Sequence, residues 1–191
     1  MLNGIRIIEI EGLGPTPFAG MLFSDLGAEV TVIHRKDKSD FSNHKNILDR
    51  GKRSIELNLK DPDDLVVAKK LIIRSDAVIE GFRPGVMEKL GLGPNEFSEN
   101  PSLVFGRMTG WGQDGPKSKQ AGHDLNYIGL SGALWFASHP NTPPFTPPAL
   151  VGDVGGGALY LVIGVLSAIL KAKESGKGSV VDAAIVDGSA H

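Results

Sequence analysis

Two short stretches carry groups able to move protons. "QAGHDLNYIGLSG", residues 120–132, sets His123 beside Asp124, with Asn126 and Tyr127 close behind, in surroundings dominated by Gly, Ala, Leu and Ile. An imidazole titrates near neutral pH, which makes His123 a candidate general acid or base. Asp124 is placed to orient its ring, and Asn126 and Tyr127 to hydrogen-bond a ligand; the spacing equally suits a hydrogen-bonded structural histidine. The second stretch, "LVGDVGGG" at 150–157, puts Asp153 among apolar residues and ahead of Gly155, Gly156 and Gly157. As the N-cap of a following helix, Asp153 would leave backbone N–H groups pointing outward, where they stabilise negative charge, including that of a developing enolate oxygen. The glycines would then admit a ligand close to the backbone. The plainer alternative is a simple cap with glycines for tight packing. His34, His44, His139 and His191 show no metal-ligand spacing with His123, and the chain has no cysteine, so no metal site and no thiolate nucleophile are expected.

Residues thirty positions apart can share a site only if the elements around them bring them together. Short β-rich runs recur at "GIRIIEI" (4–10), "AEVTVIH" (28–34), "RSIELNL" (53–59), "DAVIEGF" (76–82) and "SLVFGRM" (102–108). Between them lie segments of helical period. "TPFAGMLFSDLG" places Phe18, Met21, Leu22 and Phe23 on one face, and "DPDDLVVAKKLIIRS" opens acidic and closes basic, as the helix dipole favours. Such alternation predicts a parallel α/β sheet with ligands at the carboxyl ends of its strands. The first turn, "EGLGPTPFAG", lacks the G-x-G-x-x-G spacing of a dinucleotide site. The second strand ends on His34, Arg35 and Lys36 where an NAD site wants an acid. This basic cluster, with Lys52 and Arg53 as further positive charge, suits a phosphate or is simply a solvated surface.

The composition is that of an ordinary globular domain: 191 residues, 41% hydrophobic, 22% charged and a formal charge of -2. One domain suffices for that length, and nucleic acid is not an expected partner. "MLNGIRIIEIEG" alternates like a strand and lacks the apolar core of a signal peptide. The apolar run 155–170 falls short of the roughly 20 residues of a membrane span, so it predicts a buried helix over about 157–173. Gly176 and Gly178 follow as left-handed capping positions. "ASHPNTPPFTPPA" at 137–149 carries five prolines and reads as a loop. "SVVDAAIVDGSAH" begins another strand-to-helix unit and then breaks off.

"GKRSIELNLK", "EGFRPGVMEKLGLGP", "RMTGWGQDGP", "AGHDLNYIGLSG", "GDVGGG" and "SGKGSVVDAAIVDG" together resemble the alpha-methylacyl-CoA racemases of the family III CoA-transferase superfamily, in order along essentially all 191 residues. The resemblance implies an α/β fold, the parallel-sheet, Rossmann-like large domain of that family. Residues 1–191 would form its CoA-binding large-domain portion, with the small domain and the returning linker absent from the chain. It implies that His123 and Asp153 exchange the α-proton of a bound thioester from opposite faces. The family's CoA-binding positions carry over to Arg35, to Glu56, Leu57, Asn58 and Leu59, to Glu80, Gly81 and Phe82, to Lys89, and to Gly122, Asp124, Leu125, Asn126 and Tyr127. His34 and Lys36 depart from the family, which commonly shows an acid and a proline on either side of the arginine.

The implied function is the interconversion of (R)- and (S)-2-methylacyl-CoA, with the CoA thioester as substrate and no separate cofactor. Neutral His123 with protonated Asp153 would serve one epimer, and the reverse state the other, at one total proton count. A free aspartate titrates at about 3.9 and a helix N-terminus lowers it further, so burial must hold Asp153 up. The alternatives are a CoA transferase of the same superfamily, using Asp153 as nucleophile, and a catalytically silent CoA-binding chain. The resemblance further implies an interlocked homodimer at full length, no membrane partner, and an intracellular home: cytoplasmic in a bacterium, mitochondrial or peroxisomal in a eukaryote.

Overall fold

The computed structural model describes residues 1–36 and 46–191; His44 lies outside them. Six strands form one all-parallel sheet: β1 (Arg6–Ile10), β2 (Glu29–Arg35), β3 (Arg53–Leu57), β4 (Ala77–Glu80), β5 (Val104–Thr109) and β6 (Val180–Ala184), in the order β3-β2-β1-β4-β5-β6. This is the doubly wound order in which the chain reverses direction between β1 and β4, leaving a crevice at their carboxyl ends. The register is regular, with Ile7 opposite Val30 on β2 and Ala77 on β4. Successive side chains of a strand point to opposite faces. Ile7 therefore packs with Ala19 and Phe23 of α1 (Pro15–Asp25), whereas Ile8 packs with Ala68 and Ile72 of α2 (Pro62–Ile73).

Local chemistry starts and stops the helices. Pro15 supplies the helical φ at the start of α1. Asp61 caps α2 by accepting from the N–H groups of Asp63 and Asp64, at 3.0 and 3.2 Å. After β4 come the short α3 (Val86–Lys89), β5 and then α4 (Asp124–Ser131), headed by His123.

The apolar helix differs from its expected form. It begins as a π-helical segment, Leu150–Ala158, and continues as α5 (Leu159–Ser175) before β6 and α6 (Ile185–Ala190). Together the 26 residues from Leu150 to Ser175 are long and apolar enough to cross a membrane, which the count over 155–170 did not reach. Nevertheless Leu161, Val162, Val165, Ala168 and Ile169 are buried in the core cluster beside β5. Gly176 stops α5 in the left-handed region at φ 68°. Gly178 does not take that conformation; its N–H donates to Pro101 O at 2.7 Å, and a Cβ there would overlap the Leu103 carbonyl.

Candidate functional site

A cleft of about 570 Å³ opens at the crevice of the sheet. It is lined by Gly12–Thr16 after β1, Gly81–Pro84 after β4 and Met108–Trp111 at the end of β5, and is closed by Gly122, His123, Tyr127, Asp153 and Ile185. The topology thus brings His123 and Asp153 to one cavity. His123 is the exposed N-cap of α4, and its backbone N–H donates to Asn126 Oδ1 at 2.9 Å. Tyr127, one turn on, is 7% exposed and meets Trp111 edge to face at 4.8 Å between ring centroids.

Asp153 is half-buried and is not a helix cap. It sits inside the π-helical segment, whose wide turn is seen in the bond from Val154 N–H to Ala149 O at 3.3 Å. π-helical turns are concentrated at functional sites. The N–H of Asp153 donates to Asp124 Oδ1 at 2.7 Å, so neither of these two amides points outward as the capping reading expected. The carboxyl faces the turn after β1, where Gly14 has φ 65° and a Cβ would lie 3.2 Å from Asp153 Oδ2. Burial pushes the Asp153 carboxyl above its ordinary value, the charge of Asp124 adds to this, and His123 opposes it. Desolvation therefore prevails, in the direction that proton donation requires.

Two of the three glycines after Asp153 serve packing. A Cβ on Gly156 would lie 2.4 Å from Ser189 Oγ, and one on Gly157 would lie 3.0 Å from Ile185 Cγ1. They let α6 lie against the π-helical segment, as the plainer sequence reading expected of the glycines, although Asp153 is not the cap which that reading supposed. Asp124 likewise bonds to the Asp153 amide, where an orienting role toward the His123 ring was expected.

Of the CoA positions expected from the resemblance, Gly81, Phe82, Gly122 and Tyr127 line the cleft with His123 and Asp153. Arg35 is exposed at the end of β2, and its N–H donates to Glu11 Oε2 at 2.9 Å. Opposite it Glu56 and Leu57 end β3, with Glu56 exposed and Leu57 in the core. Asn58 and Leu59 follow toward α2, and Asn58 N–H donates to Asp64 Oδ2 at 2.8 Å. Lys89 is exposed at the end of α3, and Leu125 and Asn126 are exposed on α4. Glu80 is 2% exposed, with its carboxylate accepting from Phe82 N–H at 2.6 Å, so only its backbone can face a ligand.

The basic cluster is largely paired. His34 Nδ1 lies 2.8 Å from Glu11 Oε1, Lys36 lies 3.5 Å from Asp64, and Arg53 lies 3.5 Å from Glu29. Lys52 carries a buried cation: its side chain and that of Glu9 are each 2% exposed and 2.7 Å apart, and it also donates to Pro17 O at 2.9 Å. It is therefore unavailable to a phosphate. Three residues in the cleft wall carry no distinctive sequence signal: Arg83, Thr16 and Trp111. Among the described residues, Thr16 Oγ1 and Trp111 Nε1 are buried with no hydrogen-bond partner.

Residues 2–191 match the profile of CoA-transferase family III. Alpha-methylacyl-CoA racemase of Mus musculus is 42% identical over 192 residues, covering 100% of this chain and 49% of that protein. Succinyl-CoA–D-citramalate CoA-transferase of Chloroflexus aurantiacus is 32% identical over 200 residues, covering 98% and 50%. The crystal structure of a CAIB/BAIF family protein from Brucella suis superposes with a TM-score of 0.90 at 27% identity, over 99% of this chain and 54% of that one. The chain spans about half the length of these relatives.

Proposed function

The chain belongs to CoA-transferase family III, and from that premise we propose that the whole protein is a racemase that moves the α-proton of a 2-methylacyl-CoA thioester between His123 and Asp153. The observation that carries this reading is the shared cleft: an exposed imidazole and a half-buried carboxyl raised by desolvation line one cavity from separate elements. An α-hydrogen of a thioester is weakly acidic, so its removal needs a placed base, and inversion needs a donor on the other face. In one direction neutral His123 takes the proton and protonated Asp153 returns one. In the other, Asp153 takes it and imidazolium returns one. The raised Asp153 carboxyl can act as the donor in one direction, and His123 supplies the second proton-transfer group, which the nucleophilic attack of a transferase does not need.

On the same reading the rim from Arg35 through Glu56–Leu59 and Glu80–Phe82 to Lys89 receives the nucleotide end of CoA, and these residues form the large-domain share of an intracellular, interlocked homodimer. The 42% identity to the mouse racemase supports the choice of reaction. The test incubates the full-length protein with (S)-2-methylacyl-CoA in deuterated water. The expected result is epimerisation with one deuterium at the α-carbon. Acyl transfer to an added carboxylate without α-exchange would instead identify a transferase, and no turnover of either kind a silent CoA-binding protein.

A further inference from the structure

Asp124 follows His123 in sequence, yet its side chain turns away from the cleft. The residue is 9% exposed, and its Oδ1 accepts the backbone N–H of Asp153 at 2.7 Å. Its carboxyl also lies against the residue before Asp153, where a Cβ on Gly152 would sit 2.4 Å from Asp124 Oδ1, so a larger residue there would displace the carboxyl. The first N–H groups of a helix have no partner within it. Asp153 lies in that first turn, and a carboxylate oxygen from another helix supplies the missing acceptor, in a bond stronger than one between neutral groups.

The other end of the same dipeptide heads α4: the His123 N–H is bonded to Asn126 Oδ1. One helix terminus thus presents the imidazole to the cleft and grips the turn that carries the opposing carboxyl. We propose that Asp124 is a positioning residue, registering the Asp153 turn against His123 across the cleft; its functional meaning rests on the pairing proposed above. A neighbouring negative charge also favours the protonated form of Asp153. The groups facing Asp153 are Asp124 and His123 at the head of α4, the Tyr127 hydroxyl one turn along, and the backbone of Gly14, with Arg83 acting on Tyr127 from beyond. Among these, Asp124 is the charge that pushes Asp153 upward alongside burial.

The test compares the full-length protein with its Asp124→Asn and Asp124→Leu variants, following the Asp153 carboxyl by NMR with isotope-labelled aspartate. Asparagine keeps the shape and the acceptor but removes the charge, so the titration midpoint of Asp153 should move to lower pH while its amide stays protected. Leucine removes the acceptor, and exchange of the Asp153 amide should speed up by about tenfold or more. A midpoint unmoved or raised in the Asn variant would overturn the proposal, as would unchanged amide exchange in the Leu variant. Neither readout needs turnover, so a protein that fails to racemise while its Asp153 midpoint shifts would sink the racemase reading and leave this coupling standing.

Discussion

Glu80 is a carboxyl enclosed at the end of β4, directly under the Gly81–Pro84 wall of the cleft. Burial pushes it up from 4.5 to about 7, against the opposing pull of the Phe82 N–H and of Arg107 at 3.4 Å, while Glu88 and Asp182 add to the rise. Between those two pH values the folded protein holds a proton that the unfolded chain releases. This contribution to stability is therefore full below the unfolded value and is lost as the pH rises through about 7. Glu80→Gln has no such titration. Relative to the parent it should gain on the order of 3 kcal/mol between pH 5 and pH 8, read from denaturant midpoints. A parent-to-variant difference that is the same at both pH values would contradict the assignment. At this scale the sequence showed which groups have proton chemistry, but not their orientation. His123 and Asp153 stood out by type and setting, whereas the turn of Asp124 toward the Asp153 amide depends on how α4 meets the π-helical segment. Thr16 and Trp111 were silent because an unpaired polar atom shows itself only once its surroundings are packed.

Between elements, a buried polar tie in this half of the sheet is that of Lys52 to Glu9. It joins the segment leading into β3 to β1, and through Pro17 O to the first turn of α1. A partnerless charge in such a place is costly, so Lys52→Met should destabilise the fold by about 3–5 kcal/mol. Denaturant unfolding measures this, and a loss below about 1 kcal/mol, as for an exposed pair, would show that the pair is solvated. In sequence Lys52 looked like one more surface cation beside Arg53, since nothing local marks a lysine whose partner lies forty residues earlier. The strands were legible, because short, β-branched and nearly continuous apolar runs report directly on a sheet buried on both faces. The π-helical start of the apolar helix was not, for its glycines fit a cap as well as they fit the close approach of α6.

At the scale of the molecule, the sheet order makes the candidate site a consequence of topology. The reversal between β1 and β4 opens the crevice, and the long connection from β5 to β6 carries α4 and the π-helical segment across it, bringing His123 and Asp153 together. The alternation of elements foretold a parallel sheet with ligands at the strand ends. The strand order itself is set by long-range pairing that no local pattern encodes. The central claim is that His123 and Asp153 each serve one face of the α-carbon, and the most direct measurement is hydrogen exchange of each epimer of 2-methylacyl-CoA in deuterated water by single-residue variants of the full-length protein. His123→Ala should lower inversion by about 10² to 10⁴. Because the family resemblance implies that the histidine faces the proton of the (S) epimer, the variant should still exchange the α-hydrogen of the (R) epimer with retention, while exchange from (S) nearly vanishes; Asp153→Ala should give the mirror pattern. Equal loss of exchange from both epimers in both variants would contradict the two-face assignment.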